Sequence, residues 1–133
     1  MINWKDIDAV VFDMDGVLTD SEPIINEAGL LALKEYGINA KPEDFRPFVG
    51  AGDDRYIGGV AEKYGLKYDV KMKAKMYEIY FQILPKKIKS FAGVHELMNT
   101  LKKSDKKIAV ASASDRVKVE ANLKANRIIF GYF

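Results

Sequence analysis

The sequence predicts an α/β chain in which a small parallel-sheet core is interrupted by an all-helical insertion. Three observations predict it. An apolar, β-branched run at Val10–Phe12 ends in Asp13-Met14-Asp15-Gly16. About seventy residues of helical pattern then pass before the next strand-like run, far more than a simple βαβ crossover needs. That second run, Ile108–Ala111, ends in a Ser-rich turn, Ser112-Ala113-Ser114.

The elements follow in order. A first strand is expected over 8–13, buried on both faces as its apolar run suggests. A helix is expected from Glu22 to Tyr36, capped by Ser21, with Pro23 in its first turn and Gly37 at its end. Ile24, Ala28, Leu31 and Tyr36 form its apolar face. A short helical piece at Pro42–Phe48 leads into the glycine-rich loop Val49-Gly50-Ala51-Gly52-Asp53. Helical patterns resume over 54–64 and 70–84, separated by Gly65, and Pro85 is expected to stop the second. Phe91-Ala92-Gly93 returns the chain to the core. A helix over 94–103 shows Val94, Leu97, Met98 and Leu101 on one face, and a last helix covers 116–125. Residues 1–21 and 89–133 are thus expected to form the core and 22–88 a helical cap.

Composition narrows the function classes. The chain has 133 residues, 48% hydrophobic, with a net charge of +2, which suits one domain or a small core with an insertion. The lysine runs at 71–75, 86–89 and 102–107 are not interleaved with aromatics, so they read as solvated faces and nucleic acid is not implied. Cysteine is absent, which excludes disulfides, a thiolate nucleophile and thiolate-bound zinc. No stretch reaches the ~18 apolar residues of a membrane span. The expectation is a soluble, cytoplasmic protein. His95, the single histidine, falls in a Lys-rich amphipathic helix and reads as surface or packing, and Trp4 reads as packing at the base of the first strand.

Asp13 and Asp15 carry the chemistry. In an open α/β sheet, ligands bind at the carboxyl ends of strands. Two carboxylates crowded there require a cation or proton to offset them, and a bound Mg²⁺ with a phosphoryl substrate satisfies that requirement. Gly16 lets the chain turn away sharply.

Asp13-Met14-Asp15-Gly16-Val17-Leu18-Thr19-Asp20-Ser21-Glu22-Pro23 resembles the first signature of the haloacid dehalogenase superfamily, in the branch of β-phosphoglucomutase and phosphoglycolate-type phosphatases. The resemblance implies a partial Rossmann-like sheet with a helical cap inserted after the first strand. It implies Asp13 as nucleophile, Asp15 as general acid and base, and Mg²⁺ held by the Asp13 carboxylate and the Asp15 main-chain carbonyl. Ser112 matches the second motif, so Ser112, Ala113 and Gly16 are expected around the phosphoryl group, with Ser114 as a helix cap. In the cap loop, Gly50 and Arg55 are candidate substrate contacts. Many relatives carry Arg where this chain has Asp53, and Arg55 could equally form a surface ion pair. Ile25 stands where the mutases use His, which favours a phosphatase acting on a small phosphorylated metabolite.

The family's third and fourth motifs, a Lys and an acidic pair, have no match, and no lysine is placed to neutralise Asp13. Gly131-Tyr132-Phe133 resembles the approach to a third core strand, so the resemblance covers only an N-terminal part of a member. Unpaired strand edges are expected to drive self-association or to need a further segment. The competing readings are an inactive remnant or interaction module, a phosphomutase, and a receiver-like phosphoacceptor; the last does not explain the helical insertion.

Overall fold

Strand β1 (Ala9–Phe12) and strand β2 (Lys107–Val110) pair in parallel, with Ala9 opposite Lys107 and Phe12 opposite Val110. At their carboxyl ends the strands lead into Asp13-Met14-Asp15-Gly16 and Ser112-Ala113-Ser114. The computed structural model describes residues 1–128; the Gly131-Tyr132-Phe133 segment lies outside the described residues. Between the strands come helix α1 (Glu22–Glu35), a 3-10 segment (Pro42–Phe48), α2 (Asp53–Lys63), α3 (Val70–Lys87) and α4 (Val94–Lys103). After β2 comes α5 (Arg116–Ala125).

Two hydrophobic clusters organise these elements. The larger joins α1, the 3-10 segment, α2 and α3 through Ile24, Ala28, Leu33, Phe45, Ile57, Val60, Met76 and Tyr80, among others. Its helices approach closely because glycines leave room. A Cβ on Gly29 would lie 2.7 Å from the Phe45 ring, and one on Gly59 would lie 2.4 Å from the Phe48 ring. The smaller cluster gathers Met14, Leu18, Val94, Leu123 and Ile128 beside the sheet.

Several expectations are corrected. β1 alternates exposed and half-buried residues, and Val11 is 64% exposed. Among the described residues the smaller cluster reaches the strand at Phe12, whereas a parallel strand becomes wholly buried only when helices cover both faces. On α1, Leu31 and Tyr36 are exposed, and Ile25, Gly29, Ala32 and Leu33 join Ile24 and Ala28 inside. The buried positions 24/25, 28/29 and 32/33 repeat every four residues and form one stripe, with α3 as the main neighbour of the helix. Pro85 lies within α3, which continues to Lys87. In the last turn a proline removes only one helical hydrogen bond, and Leu84 and Ile88 keep that turn packed on the bundle. On α4, Val94 and Leu101 are buried but Leu97 is exposed. Trp4 is 46% exposed, with the Lys106 ammonium 5.4 Å above its ring; it caps a surface rather than filling a core. His95 is exposed, as expected.

Candidate active site

Asp13 follows the last residue of β1, and Ser112 stands two residues past the end of β2. Because the strands are parallel and in register, their carboxyl ends open on the same side. The crevice there, about 270 Å³, is lined by Asp13, Asp15, Glu22, Ser112, Ala113, Ser114 and Lys118 on the sheet side and the α1 N-terminus. Ile25, Phe48, Val49, Gly50, Gly52, Asp53 and Tyr56 close it from the helical bundle.

The expected residues therefore come together, with two exceptions. Gly16 adopts a positive φ of 75°, as a sharp turn requires, but its N–H donates to the Thr19 carbonyl (2.9 Å) and it does not line the crevice. Arg55 also stays outside. It pairs with Glu62 at 2.8 Å and sits 5.0 Å over the Phe48 ring.

Asp13 is exposed at the crevice, and one of its oxygens accepts the Met14 N–H at 2.7 Å. Asp15 is held on both oxygens. The Ser21 hydroxyl donates to Oδ1, and the Ser114 hydroxyl donates to Oδ2 at 3.1 Å. Ser21 occupies the N-cap position of α1 without making a side-chain cap bond, and Asp115 rather than Ser114 precedes α5. Both serines expected to cap helices spend their hydroxyls on the carboxylate instead. A charged acceptor makes the stronger hydrogen bond, which is why it wins over a cap. The Ser112 hydroxyl accepts the Ser114 N–H at 3.1 Å, which shapes the Ser-rich turn.

Lys118 is the residue that sequence reasoning missed. It is 2% exposed. Its Nζ lies 3.1 Å from Asp53 Oδ1, 3.0 Å from Ser114 Oγ and 3.8 Å from Asp15 Oδ1. The only signal in the chain is spacing: Lys118 is one helical turn after Ser114, so both fall on one face of the helix start. Asp53 accepts in addition from the Tyr77 hydroxyl at 2.6 Å. Burial, followed by that carboxylate contact, pushes the Tyr77 phenol far above its ordinary range, and burial pushes Tyr56 up to about 12. Both phenols stay neutral at neutral pH, the Tyr77 hydroxyl donating to Asp53 and the Tyr56 oxygen accepting from the Asn26 amide.

The same seam carries further polar ties. Lys73 of α3 bridges Asp54 (2.9 Å) and Asp115 (3.0 Å), and the Asn122 amide of α5 donates to the Tyr80 hydroxyl at 2.6 Å.

For a hard divalent cation the donors are of the right kind. The exposed Asp13 carboxylate faces the crevice, all nearby acceptors are oxygens, and Mg²⁺ commonly takes one or two carboxylates plus substrate oxygens and water. No cluster of three or more acidic, His or Cys side chains that could hold a metal occurs among the described residues. Any such ion at Asp13 would therefore rely on oxygens beyond the side chains described.

The family model for haloacid dehalogenase-like hydrolases matches residues 10–132. The chain belongs to that family. It is 41% identical over 128 residues to Suppressor of quenching 1, a chloroplastic protein of Arabidopsis thaliana, covering 92% of this chain and 12% of that one. It is 28% identical over 109 residues to a phosphorylated carbohydrates phosphatase of Thermotoga maritima, covering 81% of this chain and 50% of that one. Its backbone superimposes with a TM-score of 0.80 on a predicted phosphoglycolate phosphatase from Haemophilus somnus, at 20% identity, covering 95% of this chain and 60% of that one; at that identity the likeness speaks for the fold. The chain thus spans about half the length of the phosphatase relatives it matches, as the sequence resemblance to an N-terminal part implied. No described helix is long and apolar enough to cross a membrane.

Proposed function

We propose that the protein is a Mg²⁺-dependent phosphatase acting on a small phosphorylated metabolite through an aspartyl-phosphate on Asp13, with residues 22–88 serving as a cap over a core of residues 1–21 and 89–133. The observation that carries the reading is the convergence of Asp13, Asp15 and the Ser112–Ser114 turn on one crevice.

The chemistry follows from these groups. An Asp13 oxygen attacks phosphorus, and the ester P–O bond breaks. Asp15, whose two oxygens accept from Ser21 and Ser114, takes up a proton from solvent as the substrate binds and gives it to the departing oxygen. It then takes one from the water that attacks the aspartyl-phosphate, releasing inorganic phosphate and restoring Asp13. Ser112, Ala113 and Ser114 border the position of the phosphoryl oxygens. A Mg²⁺ held by the Asp13 carboxylate and the Asp15 carbonyl would offset phosphate charge. Hydrolysis is favoured over phosphoryl shuttling because Ile25, an aliphatic side chain, lines the bundle wall of the crevice and cannot move a proton for an acceptor sugar. A relative named as a phosphorylated carbohydrates phosphatase supports a small phosphorylated metabolite as substrate.

The test is hydrolysis of a generic phosphate ester in the presence and absence of Mg²⁺. In a protein that also carries the family's remaining motifs, Asp13→Asn is expected to abolish turnover with the fold intact by circular dichroism. Wild-type rates in that variant would remove Asp13 from the nucleophile role.

A further inference from the structure

Asp53 and Lys118 are both buried charges, at 8% and 2% exposure, on opposite walls of the crevice. Four carboxylates line the crevice, on Asp13, Asp15, Glu22 and Asp53, and Lys118 is the basic side chain among the described residues lining it. That cation is committed. Nζ sits 3.1 and 3.4 Å from the two Asp53 oxygens and 3.0 Å from Ser114 Oγ. The Tyr77 hydroxyl completes the shell of Asp53.

The consequence concerns the part of the substrate that does not react. With the phosphoryl group at Asp13 and Ser112, the remainder meets Glu22, Asp53 and the wall of Ile25, Phe48, Val49 and Tyr56. A second anionic group there would face carboxylates with no uncommitted ammonium among the described lining residues to receive it, and like charges brought together in a desolvated site are strongly rejected. Hydroxyl groups meet the opposite situation, because a carboxylate accepts from them, and the aromatic wall suits the C–H face of a polyol.

We infer that Asp53, by holding Lys118, is a specificity-determining residue that restricts the crevice to monophosphate esters of uncharged, hydroxyl-bearing compounds and excludes substrates with a second phosphate or carboxylate. This inference rests on the phosphatase reading. Asp53 acts through charge alone and touches no reacting atom.

Titration calorimetry of the 133-residue chain at fixed free Mg²⁺ tests it, with glucose 6-phosphate and fructose 1,6-bisphosphate as probes. The monophosphate is expected to bind at least about tenfold more tightly, the discrimination a like-charge clash readily supplies. Asp53→Asn releases Lys118 and is expected to raise affinity for the bisphosphate about tenfold or more. The double variant Asp53→Asn/Lys118→Gln is expected to lose that gain. A destabilised crevice would weaken both probes together and would not reverse their order. Wild-type protein that binds the bisphosphate as tightly as the monophosphate overturns the inference and leaves the phosphatase reading standing, and this comparison needs no variant to fold. An Asp53→Asn protein with no gain for the bisphosphate also overturns it. Wild-type protein that binds neither probe removes the phosphatase reading, and the inference with it.

Discussion

The helical bundle and the sheet region are built to different degrees. Sixteen buried side chains form one cluster in the bundle, against five beside the sheet among the described residues. The bundle closes on itself: α1 lies along α3, α2 seals one side, and glycines at 29 and 59 admit the Phe45 and Phe48 rings. The sheet has two strands, and Val11 on β1 is 64% exposed. A two-stranded sheet buries little by itself. The comparison teaches that the element leading into the crevice carboxylates Asp13 and Asp15 is not the element carrying most of the hydrophobic stabilisation. Asp15 is positioned at the seam by hydrogen bonds from Ser21 and Ser114, and the Lys118–Asp53 ion pair ties α5 to the bundle there.

Breaking the seam tests this view most severely. Lys118→Met leaves Asp53 buried with only the Tyr77 hydroxyl, and removing one partner of a buried pair costs about 3–5 kcal/mol. Urea denaturation is expected to show a loss of that size; less than about 1 kcal/mol would mean that the pair is solvated and that the two regions are joined by other contacts.

Inside the bundle, Leu33→Ala empties a position that is 0% exposed and is expected to cost about 2–5 kcal/mol. The same measurement applies, with helical content as the signal. A small cost would mean that the bundle is fluid and that the contrast with the sheet is overstated.

Acid sharpens the comparison further. Asp44, in the 3-10 segment, accepts from Lys63, from the Tyr64 hydroxyl (2.6 Å) and from the Lys41 N–H (2.8 Å). The Lys63 contact, followed by the Tyr64 hydroxyl, holds its carboxyl well below the usual carboxylate range. A folded pKa below the unfolded value of about 3.9 adds stability that is present above about pH 4 and is lost as the pH falls through the lower folded value. The urea midpoint of the bundle is therefore expected to drop on acidification, and Asp44→Asn to flatten part of that drop. A variant with an unchanged acid profile would assign the pH dependence to other groups.

The smallest expected effect falls on the sheet. Val11→Ser at the exposed face of β1 is expected to change stability by no more than about 0.5 kcal/mol. A larger loss would show that this face is covered in solution by another chain or segment, which equilibrium sedimentation of the wild-type chain would detect.

What the sequence by itself determined was the type and order of the elements. The two strands, the limits of α4 and α5 near Val94–Lys103 and Arg116–Ala125, the 3-10 segment at Pro42–Phe48 and the pairing of Asp13 with Asp15 depend on periodicity, turn residues and motif order. These are short-range signals, and they also carried the family resemblance. Tertiary structure decided the rest. Leu31 and Tyr36 are exposed because the stripe that meets the rest of the bundle runs through positions 24/25, 28/29 and 32/33, leaving Leu31 outside it, and Tyr36 lies past the helix end; which apolar positions of an amphipathic helix are covered is set by its neighbours. Ser21 and Ser114 gave up helix capping because a carboxylate from β1's end lay within reach. Lys118 entered the crevice because α5 lies against α3, which brings a residue 65 positions after Asp53 into ion-pair contact. A buried charge is stable only beside its partner, and that partner is chosen by the packing of helices far apart in the chain.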